Sequence, residues 1–114
     1  MSIQIFGTKK SADTRKAERF FKERGIRFQS VDLKEIGLSK GELQSVAQAV
    51  GGLDELIDSD CKDKDLLALM AYLVPEERFG KALENQQILR QPIVRNGKKA
   101  AVGYDPDAWK RMTE

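Results

Sequence analysis

The 114-residue chain predicts an α/β fold: one four-stranded mixed sheet with helices on both faces. Three observations predict it. A strand–helix–strand unit fills the first 33 residues, a long stretch with only helical signals follows, and a hairpin with a short helix ends the chain.

The opening unit reads clearly. Ile3-Gln4-Ile5-Phe6-Gly7 is a short strand ending at glycine. Thr8 to Thr14 form a polar loop rich in helix-capping residues. Ala17, Phe20, Phe21 and Arg24 then recur at i, i+3, i+4 and i+7, which is one face of a helix, and Gly25 stands where a left-handed cap would close it. Ile26, Phe28, Val31 and Leu33 predict a second strand over 26–33, although the alternation slips between Phe28 and Val31. Two such strands joined through a helix run parallel, by a right-handed crossover.

In the middle, Ser39-Lys40-Gly41-Glu42 is a capping box, with Leu43, Val46, Ala47 and Val50 at helical spacing behind it and Gly51-Gly52 closing the helix. Leu53, Leu56 and Ile57 predict a short helix, and Asp58 to Asp65 a charged, solvated loop. Leu66 to Leu73 is apolar on nearly all sides, which predicts a largely buried helix. Pro75, with Glu76 and Glu77 in its first turn, opens another, striped by Phe79, Ala82 and Leu83.

At the end, Pro92 to Arg95 and Lys98 to Tyr104 flank Asn96-Gly97, the strongest short hairpin turn. Asp105-Pro106-Asp107 starts a last helix carrying Trp109 and Met112. Phe20, Phe21, Phe28, Tyr104 and Trp109 are spaced for a core or its margin. The order, βαβ then ββα with a helical insertion at about 35–90, is a thioredoxin-like layout within one domain of 1–114, a length suited to a single core.

Composition removes whole classes of chemistry. The chain has no histidine, so Ser-His and Cys-His catalysis, histidine metal sites and histidine pH switches are out. Its one cysteine, Cys61, allows no intrachain disulfide, no CxxC pair and no cysteine zinc site, so no metal is expected. Twenty Lys and Arg against eighteen Asp and Glu give a net charge of +2, and direct nucleic-acid binding is not expected. The longest apolar run, Leu66 to Val74, is about half of a membrane span. MSIQIFG lacks a basic-then-apolar signal pattern, so the expected location is cytoplasmic.

Particular residues carry a resemblance. Phe6-Gly7-Thr8-Lys9-Lys10-Ser11-Ala12-Asp13-Thr14-Arg15-Lys16-Ala17 resembles the first loop and helix of the ArsC/Spx family, which holds glutaredoxin-coupled arsenate reductases and the transcriptional regulator Spx. Leu89-Arg90-Gln91-Pro92-Ile93-Val94 is similar to that family's Arg-Pro-Ile-Val stretch, and Gly97 to Tyr104 to its second hairpin strand. The resemblance implies a catalytic thiolate at the start of the first helix, where free N–H groups lower a thiol pKa and hold oxyanions. It also implies a cis-proline at Pro92 guiding a thiol substrate.

The matching position for the thiolate is Ser11, and the second, Spx-type cysteine position is Thr14. An alcohol is far harder to ionise than a thiol and normally needs an adjacent base; Lys9 and Lys10 are nearby in sequence but would have to be neutral to act as one. Serine forms neither a mixed disulfide nor an arsenic–sulfur bond. The chain is therefore expected to be an arsenate-reductase-like oxidoreductase by lineage and redox-inactive as written. No cofactor is expected bound; glutathione or a glutaredoxin would be the reductant if position 11 were cysteine, and the serine is either natural or an introduced Cys→Ser change.

Ser11, Thr14 and Arg15 are the expected helix-start site, and Arg90, Gln91 and Pro92 the substrate side. Such a cradle would take a small oxyanion, a thiol or a peptide, or serve ordinary capping; Asp13 would compete with an anion for the same N–H groups. Family reductases carry arginine immediately before the proline, where this chain has Gln91, and another in the region of Asp60 and Lys62. Cys61, among acids, is expected to be a free thiol in solvent. The alternative function is docking on an RNA polymerase subunit, as Spx does, without a redox switch.

Overall fold

The computed structural model describes residues 2–114. Its elements are β1 (Ile3–Gly7), α1 (Ala12–Glu23), β2 (Phe28–Asp32), α2 (Lys40–Val50), α3 (Lys64–Met70), α4 (Pro75–Glu84), β3 (Ile93–Asn96), β4 (Lys99–Val102) and α5 (Pro106–Met112), with short 3-10 turns at Leu53–Leu56 and Gln86–Ile88. The four strands form one sheet in the order β2-β1-β3-β4. β1 and β2 are parallel, and the other pairs are antiparallel. This is the expected thioredoxin-like α/β fold.

Strand side chains alternate between faces, and the sheet divides the core accordingly. Ile3, Ile5, Val94 and Ala101 point to one side and pack with Ala17 and Phe21 of α1 and Trp109 and Met112 of α5. Phe6, Val31 and Ile93 point to the other and meet Leu43 and Val46 of α2, Leu56, Met70, Ala82, Ile88 and Leu89. The slip in β2 now has a cause. Ile26 and Phe28 pack on the α1/α5 side, whereas Val31 and Leu33 pack on the insertion side, so the apolar residues change face within one strand.

The insertion departs from expectation in several places. Leu66 to Leu73 is not a largely buried helix: α3 ends at Met70, its one buried residue, with Leu69 46% and Tyr72 88% exposed. Val74 is extended ahead of Pro75, as the residue before a proline prefers. The α3 terminus is satisfied by Arg78, which donates to the carbonyls of Met70 and Leu73, both at 3.1 Å, and to Asp54.

Cys61 is not a thiol in solvent. It is buried, and its thiol donates to the Gln87 carbonyl at 3.8 Å. An isolated Ile57–Leu89 bridge and the Asp58 N–H to Ile88 carbonyl bond draw its loop onto 86–89, a long-range pairing invisible to local patterns.

The hairpin turn is one residue later than expected. Asn96 pairs with Lys99, so Gly97 and Lys98 form the loop, with Gly97 at φ +62°. Asn96 instead ties the hairpin to α5 through the Met112 carbonyl at 2.8 Å. Tyr104 is 55% exposed and meets the core through its contact with Trp109. No helix among the described residues is long and apolar enough to cross a membrane.

Candidate functional site at the start of the first helix

β1 ends at Gly7 against the first turn of α1. A Cβ on Gly7 would lie 2.3 Å from the Thr14 hydroxyl oxygen, so only glycine lets strand and helix approach this closely. The chain then turns through Thr8 to Lys10, closed by the Ser11 N–H to Thr8 carbonyl bond at 3.1 Å. Ser11 is extended and caps α1, its hydroxyl oxygen accepting from the Thr14 N–H at 3.1 Å. Thr14 is only 5% exposed, the one buried polar side chain of the described residues.

The second half of the site comes from the approach to β3. The Gln91–Pro92 bond is cis, as the resemblance implied. The Pro92 carbonyl accepts from the Gly103 N–H at 2.8 Å, which fixes the strand start beside the loop. The Gln91 side chain folds back onto the loop after β1. Its carboxamide oxygen accepts from the Thr8 N–H at 2.7 Å, the Thr8 hydroxyl at 3.1 Å and the Thr14 hydroxyl at 3.5 Å.

Ser11, Thr14, Gln91 and Pro92 therefore lie together, with Thr8, which sequence reading passed over as an ordinary loop residue. The two arginines do not join them. Arg90 runs away from the loop: its backbone N–H bonds the Leu56 carbonyl at 2.7 Å, its guanidinium donates to the Glu55 carbonyl at 3.1 Å, and its tip lies against Gly103. Arg15 bends back onto the Lys9 carbonyl. Asp13 pairs with Lys16 at 3.6 Å and leaves the helix N–H groups to Ser11.

Chemically, the arrangement holds an oxygen-based cap at the start of α1. Ser11 has no imidazole to activate it, and Lys9 and Lys10 are exposed. The Thr8 N–H and the Thr8 and Thr14 hydroxyls are taken by the Gln91 oxygen, the acceptor that an anion or thiol reaching these donors would have to replace. A hollow of about 740 Å³ opens alongside, with Thr8, Gln91, Lys34, Lys62, Gln86 and Gln87 in its walls. Lys62 is the wall residue from the 58–65 loop, and an ammonium lacks the bidentate geometry of a guanidinium. The Asp60 N–H donates to the Asp58 carboxylate at 2.9 Å.

A helix start beside a cis-proline that leads into a strand, at one end of a mixed four-stranded sheet, fits the thioredoxin-like fold class. The ArsC family model matches residues 6–112, and the chain belongs to the ArsC family. It is 31% identical over 109 residues to the global transcriptional regulator Spx 2 of Oceanobacillus iheyensis, covering 94% of this chain and 80% of that protein. Among solved structures it is similar to an arsenate reductase from Vibrio cholerae, with 22% identity and a TM-score of 0.85. It is similar also to an ArsC family related protein from Bacteroides fragilis, with 16% identity and a TM-score of 0.84. Both comparisons cover 98% of each chain.

Proposed function

We propose that this chain is an ArsC/Spx-lineage protein in which redox chemistry has lapsed at position 11, and that it acts by binding, as a regulator docking on a transcription component. One observation carries the reading: the helix-start junction holds the Ser11 oxygen as a cap and the Gln91 oxygen as resident acceptor, with no sulfur. Ser11 stands in the nucleophile's place, Thr14 and Arg15 hold the helix start, and Pro92 keeps the substrate-side strand in position. Gln91 replaces the charged group an oxyanion would need, and Arg90 serves the packing of the insertion. The regulator relative supports the role, and an RNA polymerase subunit is the partner class this reading names.

The test pairs two measurements. Purified chain is titrated onto RNA polymerase, and the Ser11→Cys variant is assayed with arsenate or a mixed disulfide in the presence of glutathione and glutaredoxin. Saturable polymerase binding with no restored turnover is the expected result. Robust turnover without polymerase binding overturns it in favour of a second reading, a reductase whose nucleophile has been exchanged. The Ser11 cap on Thr14, with the Thr14 hydroxyl bonded to the Gln91 side chain just ahead of the cis Pro92, is what favours that second reading. A cysteine codon at position 11 in the source gene would show that the serine was introduced.

A further inference from the structure

Charge is not spread evenly over this chain. Residues 2–31 hold eight Lys and Arg against three Asp and Glu, residues 91–114 five against three, and residues 32–90 seven against twelve. The net charges are +5, +2 and −5, so the sheet-and-α1/α5 part is basic and the insertion acidic. On α1 and its cap the cations face outward: Arg15, Lys16, Arg19, Lys22 and Arg24 are all exposed. Two of the three carboxylates there are spent internally, Asp13 on Lys16 and Glu18 on the Ser30 hydroxyl, leaving Glu23.

Between α1 and α5 lies a hollow of about 420 Å³ with aromatic walls and a cationic rim. Phe20 and Tyr104 meet Trp109 edge-on at 5.4 and 5.5 Å between centroids. The Lys16 ammonium stands 5.1 Å over the Tyr104 ring, and the Arg24 guanidinium 3.6 Å over Phe20. Arg19 lines the rim with no ion-pair partner among the described residues, and Glu23 is the one carboxylate in the lining. The Trp109 indole N–H is buried there without an acceptor, although a buried indole ordinarily finds one.

We infer that the α1/α5 hollow docks an acidic segment of a partner protein, in which Asp and Glu flank one aromatic or aliphatic residue. The carboxylates pair with Arg19, Arg24 and Lys16. The apolar residue lies on Phe20 and Tyr104, where burial of apolar surface adds affinity. Two of the cations already rest on rings, so little of their freedom is lost on binding. A nucleic-acid backbone fits less well, because Glu23 interrupts the basic face. The inference extends the binding reading above by naming the partner's chemistry; it involves no chemistry at position 11.

The chain's one tryptophan is its own reporter. The unaltered protein is titrated with an acetylated heptapeptide, Glu-Asp-Glu-Phe-Glu-Asp-Glu, while Trp109 emission is followed. The controls are the same peptide with Gln and Asn for its acids, and a 20-base-pair DNA duplex. The expected result is saturable binding of the acidic peptide only, weakening with salt and falling about tenfold or more in Arg19→Glu. Arg19 is exposed and holds no partner, so that variant keeps the fold; an unchanged thermal transition checks it. Equal binding of the uncharged peptide, tighter binding of the duplex, or no binding at all overturns the inference. Polymerase titration and the Ser11→Cys assay decide the reading above separately.

Discussion

Ser11 sits where the free N–H groups of α1 converge, and its oxygen is already one of their partners. Replacing that oxygen by sulfur would set a thiolate against the positive end of a twelve-residue helix. The Ser11→Cys thiol is therefore expected to ionise below the ordinary cysteine value of about 8.5. The rate of iodoacetamide alkylation against pH measures this directly. Cys61 offers an internal control, since it is buried and should alkylate slowly in the folded chain. An alkylation midpoint at or above the ordinary value would mean that the helix start does not activate a thiol. The place of Ser11 was legible because capping residues and a helical stripe mark a helix start. The role of Gln91 was not: sequence shows only a missing arginine, whereas the structure shows a carboxamide reaching back 83 residues along the chain to Thr8. Nothing local encodes a contact of that separation.

At the scale of elements, the site depends on how closely β1 approaches α1. In Gly7→Ala a methyl group would meet the buried Thr14 side chain at 2.3 to 3.0 Å, so either the strand end or the first helical turn must move. We expect a loss of about 1–3 kcal/mol in urea unfolding, the usual cost of overpacking. A second test uses the α2 capping box. The Ser39 N–H donates to the Glu42 carboxylate at 2.8 Å, and the Ser39 hydroxyl accepts from the Glu42 N–H at 3.2 Å. The Ser39 N–H is the main cause, with Arg95 at 3.9 Å a smaller one, that holds the Glu42 carboxyl below its ordinary 4.5. A depressed carboxyl contributes stability above its unfolded value and loses that contribution as pH falls through the folded one. Glu42→Gln should therefore destabilise at pH 7 and converge on the parent chain as acid protonates the folded carboxyl, at a pH below its ordinary value. A constant difference down to pH 2 would assign the effect to packing instead. This capping box was legible from four consecutive residues. The surface position of α3 was not, because an all-apolar stretch looks the same whether it is enclosed or lies at the margin of a helical insertion.

Across the whole molecule, residues 33–92 between β2 and β3 are more than an appendage. They supply Leu43, Val46, Leu56, Met70, Ala82, Ile88 and Leu89 to the cluster that covers Phe6, Val31 and Ile93. Without them one sheet face would be bare, and without the sheet these helices would have nothing to bury against. The chain should thus unfold as one cooperative unit, a consequence of its shared core and not of its length alone. Nature has placed one reporter on each side: Trp109 lies in the α1/α5 cluster and Cys61 in the insertion cluster. Trp109 emission and the reactivity of Cys61 toward a thiol reagent can be followed through the same urea titration. Coincident midpoints are expected. Exposure of Cys61 at clearly lower urea would show that the insertion opens by itself, and the fold would then be a thioredoxin-like core carrying a detachable lid of helices.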